Sequence, residues 1–156
     1  MATASTYELV IPESKLIFTF DGLNVKPYMK INENKTILVV DDFESIRKFV
    51  CETLQRRGYT TRAAASGDEA YQILKESINE IDLVLTDYNM PDCSGQDLLN
   101  KIKTDPVTQH VPVIFLTTED SPEKIRTAKE SGLAAWIKKP YRSENFFGQI
   151  EKALNV

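Results

Sequence analysis

The spacing of apolar residues changes character after about residue 34. From there to the end, short runs of contiguous apolar residues alternate with longer stretches in which apolar positions recur every three or four residues. The first kind reads as strands buried on both faces and the second as amphipathic helices. Strand-like runs occupy residues 36–41, 59–63, 82–86, 111–116 and 134–137. Helical periodicity covers residues 44–57, where Ile46, Phe49, Val50, Thr53 and Leu54 form one stripe that Gly58 stops. A second helix follows Ser66, a candidate N-cap with Asp68 and Glu69 in its first turn, and carries Ala70, Ile73 and Leu74 inward. A third spans residues 95–103, with Leu98, Leu99 and Ile102 apolar. Ser121 as N-cap and Pro122 at the first helical position, followed by Glu123, open a fourth that ends at Gly132, and residues 143–154 form the fifth. Five strands alternating with five helices predict an α/β domain over residues 35–156, with a parallel sheet covered on both faces and right-handed crossovers.

Residues 1–34 follow another pattern. Tyr7-Glu-Leu-Val-Ile11 and Leu16-Ile-Phe-Thr-Phe20 are β-favouring, Pro12-Glu-Ser-Lys15 separates them as a turn, and Asp21-Gly22 offers a second turn. The reading is an N-terminal β-hairpin-like extension. Two strands alone are marginal in water, so this piece must pack on the main domain, cover a sheet edge, pair with a second copy in a homodimer, or be a remnant of something larger. Met29 is a candidate start position, which leaves open whether residues 1–28 are native.

Composition narrows the class. The chain has 156 residues, 42% hydrophobic and 27% charged, the balance of an ordinary globular protein. A net charge of −4 without a basic stripe argues against nucleic acid and anionic membrane as partners. No run of about 18 apolar residues is present, and the N-terminus has no basic region, so neither a membrane span nor a signal peptide is expected. Two cysteines, Cys51 and Cys93, make no disulfide framework, and free thiols suit the cytoplasm.

The chemistry gathers at the ends of the apolar runs. Asp41-Asp42 follow the first, Asp87 the third, Thr117 the fourth and Lys139 the fifth. In a parallel sheet those ends share one edge, so three carboxylates, a hydroxyl and an ammonium would meet in one crevice. Close carboxylates repel one another and need a cation to stay ionised together. Asp87 at a strand end could attack phosphorus as a nucleophile, whereas a lone aspartate in that position more often caps a loop. Asp41-Asp42 could likewise be no more than a helix cap. The only histidine, His110, sits between Gln109 and Val111 in an expected loop, so a phosphoryl donor has to be another molecule.

With Asp-x-x-Met-Pro at residues 87–91, Gly95 four residues later, Asp41-Asp42 upstream and Lys139-Pro140 downstream, the chain resembles the receiver domains of two-component response regulators, of the chemotaxis-regulator type. The resemblance covers roughly residues 35–155. It implies a flavodoxin-like doubly wound sheet in the order 2-1-3-4-5, with the site at the switch point between the first and third strands. It implies Asp87 as phosphoryl acceptor, and Mg²⁺ held by Asp42, Asp87 and the backbone carbonyl of Asn89, with Asp41 acting through water. Thr117 and Lys139 would hold the phosphoryl oxygens, with Lys139 paired to Asp87 beforehand, Lys138 a decoy and the Lys139-Pro140 bond cis. Switching would link Thr117 to Trp136, which stands where tyrosine or phenylalanine is usual. Its indole is larger and donates only through N–H, so either its inward swing is restricted or it is a core or interface anchor. The β-branched Thr118 should narrow access to the phosphoryl group, and Asn89 and Glu119 lie where the family tunes attack by water.

The implied function is a two-component signalling switch and not an enzyme in the ordinary sense. A histidine kinase or phosphotransfer protein would donate the phosphoryl group. The face built by the fourth helix, fifth strand and fifth helix, roughly residues 121–154, would control a downstream protein. The chain ends soon after the last helix, so a stand-alone receiver or a receiver cut from a larger protein is expected. A receiver-like scaffold that is never phosphorylated is one alternative, which the full set of Asp42, Asp87, Thr117 and Lys139 opposes. An aspartyl-phosphate phosphatase of the haloacid dehalogenase type is another, but it wants an acid where Asn89 stands and room for a cap domain.

Overall fold

Runs such as Ile37-Leu-Val-Val40 and Val113-Ile-Phe-Leu116 can hide every side chain only between two layers of helix, and the computed structural model has that arrangement. It describes the backbone of residues 5–11, 14–21, 24–30 and 35–156, with side chains from residue 35 onward. In chain order the elements are β1 (Ser5–Ile11), β2 (Ser14–Asp21), β3 (Asn24–Lys30), β4 (Thr36–Val40), α1 (Glu44–Arg56), β5 (Thr60–Ala64), α2 (Gly67–Glu76), β6 (Leu83–Thr86), α3 (Gly95–Thr104), β7 (Val113–Thr117), α4 (Pro122–Glu130), β8 (Ala135–Lys138) and α5 (Ser143–Leu154). Strands β4 to β8 form one parallel sheet ordered β5-β4-β6-β7-β8, which is 2-1-3-4-5 counted within that sheet. The flavodoxin-like expectation therefore holds.

Alternate side chains of the sheet feed two cores. Leu38, Val40, Val84, Val113 and Phe115 face Leu74, Leu98, Leu99, Ile102 and Ala128 of α2, α3 and α4. Ile37, Val39, Leu85, Ile114 and Leu116 face Val50 and Leu54 of α1 and Phe146, Phe147 and Ile150 of α5. Helix termini follow the sequence closely. Ser66 accepts a hydrogen bond from the Glu69 amide at 3.2 Å, while Gly58 (φ 93°) and Gly132 (φ 96°) turn the chain after α1 and α4 in a left-handed conformation open to glycine. Ser94 and Asp97 cap α3 reciprocally. At α4, Pro122 starts the helix as expected, but the Ser121 side chain makes no cap; the Glu119 carboxylate takes the Ser121 amide instead, at 3.1 Å.

Two expectations need correction. The stripe on α1 is only partly buried: Val50 and Leu54 face the core, whereas Ile46 is 37% and Phe49 60% exposed. Only a narrow face of this helix meets the sheet, and contiguous apolar positions do not say how wide that face is. At the N-terminus, Asn24–Lys30 adds a third strand to the anticipated pair, giving an antiparallel sheet ordered β1-β2-β3. Pro27 argues against a central strand, but β3 is an edge, where a missing donor is tolerated. Pro12, Glu13 and Gly22, on which the two expected turns rest, lie outside the described residues.

Candidate functional site

The hydrogen-bond ladder of the parallel sheet runs one residue past its strands and fixes where the polar residues stand. The Asp41 amide donates to the Ala64 carbonyl at 3.2 Å, the Asp87 amide to the Val40 carbonyl at 3.0 Å, and the Lys139 amide to the Thr117 carbonyl at 2.9 Å. The backbone thereby places Asp41, Asp87, Thr117 and Lys139 at the same edge of the sheet, the edge formed by the carboxyl ends of the strands. Asp41, Asp42 and Asp87 come together so closely that one carboxylate oxygen from each lies within 4.8 Å of the others.

Asp41 is almost fully buried. One of its oxygens accepts the Phe43 amide at 2.9 Å, and the other lies 3.6 Å from the Lys139 ammonium. Burial pushes its carboxyl above the usual carboxylate range, and Asp87 and Asp42 add to the rise, against the Phe43 amide and Lys139. One oxygen of Asp42, Oδ1, is buried with no hydrogen-bond partner among the described residues. Asp87 Oδ1 accepts the Tyr88 amide at 2.7 Å. Among the described residues one ammonium faces three carboxylates, which leaves the cluster short of positive charge. The expected pairing of Lys139 with Asp87 is replaced by the contact with Asp41, and Lys138 pairs with Asp120 on the surface.

The loop after Asp87 is held by backbone proximity. Thr86 Oγ1 donates to the Asp87 carbonyl at 2.9 Å, and the Gly95 amide donates to the Tyr88 carbonyl at 2.7 Å. A Cβ on Gly95 would fall 2.5 Å from the Asp87 carbonyl oxygen and 2.9 Å from the Tyr88 Cα, so no larger residue fits without moving the backbone that carries Asp87. Asn89 is exposed two residues beyond Asp87. The Lys139-Pro140 bond is cis, as the resemblance implied.

Thr117 is fully buried, and its hydroxyl accepts the Glu119 amide at 3.1 Å. The carbonyl of the same Glu119 accepts the Trp136 indole N–H at 3.1 Å. Trp136 is half-buried and packs on Tyr88 (centroids 5.5 Å apart) and Phe115 (5.4 Å). Lys124 pairs with the Glu119 carboxylate at 2.8 Å and lies over the Tyr88 ring at 5.2 Å. Thr118 is exposed beside this loop. Trp136 is thus a packed anchor tied to the residue two beyond Thr117. Sequence reasoning missed Arg47, whose guanidinium donates to the Asp41 carbonyl at 2.7 Å, and the Tyr88–Lys124 contact. Neither carries a local signal, because each depends on a helix meeting a loop.

The donor set fits a hard divalent cation: three carboxylates converge and one buried oxygen is orphaned. His110 is exposed in a turn and takes no part. Among the described residues no helix is long and apolar enough to cross a membrane.

Comparison with known proteins points one way. Residues 37–151 match the family described as the response regulator receiver domain. The chain is 36% identical over 123 residues to chemotaxis protein CheY-3 of Vibrio cholerae, covering 78% of this chain and 93% of that protein. It is 33% identical over 117 residues to chemotaxis protein CheY of Pseudomonas aeruginosa, covering 74% and 93%. A crystal structure of a response regulator receiver domain protein from Clostridium thermocellum superposes with a TM-score of 0.73 at 33% identity, covering 78% of this chain and 94% of that one.

Proposed function

The chain belongs to the response regulator receiver domain family, and from that premise we propose that it is a phospho-accepting signalling switch in which Asp87 receives the phosphoryl group. The observation that carries this reading is the convergence of Asp41, Asp42 and Asp87 within 4.8 Å, with Lys139 3.6 Å from Asp41, at the carboxyl ends of β4, β6 and β8.

Asp42, Asp87 and the carbonyl of Asn89 would hold Mg²⁺, with Asp41 acting through water. Its chemistry there is to neutralise the negative charge that gathers when a phosphoryl group approaches carboxylates. A histidine kinase or phosphotransfer protein presents a phosphohistidine. An Asp87 carboxylate oxygen attacks phosphorus, the P–N bond breaks, and the imidazole leaves as the P–O bond of an acyl phosphate forms. Lys139 and the Thr117 hydroxyl donate to the phosphoryl oxygens. To do so the Thr117 hydroxyl turns its proton toward the phosphoryl group. The Glu119 amide bound to that hydroxyl then shifts with it. The loop into α4 moves, and with it the face of α4, β8 and α5 presented to a downstream protein.

The test is the intact mass of the protein after incubation with Mg²⁺ and acetyl phosphate, a small phosphoryl donor. One added phosphoryl group is expected. It should be lost in Asp87→Asn and when metal is chelated. Incorporation that persists in Asp87→Asn would reassign the acceptor.

A further inference from the structure

The register of the N-terminal sheet sorts its residues by chemistry. Tyr7 pairs with Phe18, Leu9 with Leu16, and Phe20 with Val25. Cross-strand partners share a face and alternate residues take opposite faces, so these six positions lie on one side of the sheet. Glu8, Lys15, Asp21 and Lys26 fall on the other side together with Val10 and Ile17, while Lys30, the partner of Leu16 past an irregularity in the ladder, falls on the first. Such a sheet needs a second layer on its apolar face, and three strands cannot supply one from themselves.

The parallel sheet offers no place for it. Among the described residues, each of its two faces is already filled by helices, α1 and α5 on one side and α2 to α4 on the other. The large apolar side chains left exposed there are Phe43, Ile46, Phe49, Val107 and Val156. Three of these form a narrow strip on and beside α1, next to Asp41-Asp42, and covering that strip would obstruct a donor's approach to Asp87 as read above. The second layer is therefore sought outside the chain. An apolar face whose one charged position, Lys30, lies at the end of β3 beside Leu16 complements itself across a two-fold axis, where a partner of different chemistry would need a matching pattern.

We propose that the chain forms a homodimer by stacking the apolar faces of two N-terminal sheets, each made of β1, β2 and β3, as a two-layer sandwich. The receiver domains remain free of that interface, and the association does not depend on phosphorylation.

The experiment is the solution mass of the full chain by sedimentation at tens of micromolar, without Mg²⁺ or phosphoryl donor. Twice the 17.7 kDa chain mass is expected. Phe18→Asp, which puts a charge at the centre of the apolar face, should give a monomer at concentrations at least tenfold above those where the wild type is dimeric. Ile17→Asp is the same kind of change one residue away on the other face, and it should leave the dimer intact. A monomeric wild type, a dimer that survives Phe18→Asp, or equal loss in both variants overturns the proposal. Phosphoryl incorporation, measured by intact mass after Mg²⁺ and acetyl phosphate are added to separate aliquots of the same proteins, reports separately on the receiver. Its retention in a monomeric Phe18→Asp shows that the domain is folded, and its absence in the wild type overturns the switch reading while leaving the dimer result standing.

Discussion

Asp105 and Asp41 are both aspartates with an ammonium beside them, yet their carboxyl groups are driven in opposite directions. Asp105 accepts the Lys75 ammonium at 2.7 Å, the Tyr71 hydroxyl at 2.5 Å and the Val107 amide at 2.9 Å. Led by Lys75, these donors hold its pKa down to about 2. Asp41 is raised, because burial and two further carboxylates outweigh Lys139 and one amide. The first cluster is complete in the folded protein and ties α2 to the loop after α3. The second is left unsatisfied. Local conflict at one place in a consistent fold is a mark of function, and here it is the conflict a bound cation would resolve.

The largest test of that contrast exchanges one charge in each cluster. Asp42→Asn removes a carboxylate from among three and leaves the hydrogen bonds of Asp41 in place. In chelator, thermal unfolding should show the variant more stable than wild type by about 1 kcal/mol, because like charges no longer face one another at close range. Its affinity for Mg²⁺, read from the dependence of Tm on metal, should fall at least about tenfold. Asp105→Asn should do the opposite on both counts. Tm drops by a few degrees as the Lys75 and Tyr71 bonds weaken, and the Mg²⁺ response is unchanged. If Asp42→Asn also lowers Tm in chelator, the acidic cluster is not in conflict and the contrast fails.

Acid sharpens the comparison with a smaller effect. The folded pKa of Asp105, about 2, is depressed below an unfolded value near 4. Its contribution to stability is therefore fully present above pH 4 and is lost as pH falls through 2. Between those limits the Tm of Asp105→Asn should decline less steeply than that of the wild type. Parallel curves would mean that the Tyr71–Lys75–Asp105 group adds nothing to acid stability.

What could be read ahead of the structure follows the same division. Asp41, Asp42, Asp87, Thr117 and Lys139 were legible because each ends an apolar run, and parallel strands bring their ends to one edge. Helix starts at Ser66 and Pro122 were legible because a capping serine and a first-turn proline act within a few residues, although at α4 the cap itself comes from Glu119 and not from Ser121. The Tyr71–Asp105 bond joins positions 34 apart and has no local signature. The resemblance implied Asp87 as the partner of Lys139 and the structure gives Asp41, because residues at strand ends fix the edge but not which of two neighbouring carboxylates lies nearer. The exposure of the outer half of the α1 stripe was not legible because an exposed apolar strip and a buried one have the same spacing. The strand at Asn24–Lys30 was overlooked because Pro27 speaks against a ladder, and whether a strand is an edge is a property of the finished sheet.

The smallest effect concerns how far the acidic cluster reaches. Glu119 is gripped at both ends of its backbone, its amide by the Thr117 hydroxyl and its carbonyl by the Trp136 indole. Trp136→Phe keeps an aromatic ring against Tyr88 and Phe115 but removes the N–H. The lost hydrogen bond should cost about 1 kcal/mol, measured by denaturant unfolding. The carboxylates, Lys139 and Thr117 are untouched, so phosphoryl incorporation in Mg²⁺ and acetyl phosphate should still occur. What should change is the loop. With the indole bond gone, the amide resonances of residues 118–121 should broaden or shift in the unphosphorylated variant, and phosphorylation should move them further than in the wild type. An unperturbed loop in Trp136→Phe would mean that the indole bond is incidental. Trp136 would then serve only to fill the space between Tyr88 and Phe115, and the conflict among the carboxylates would end at Thr117.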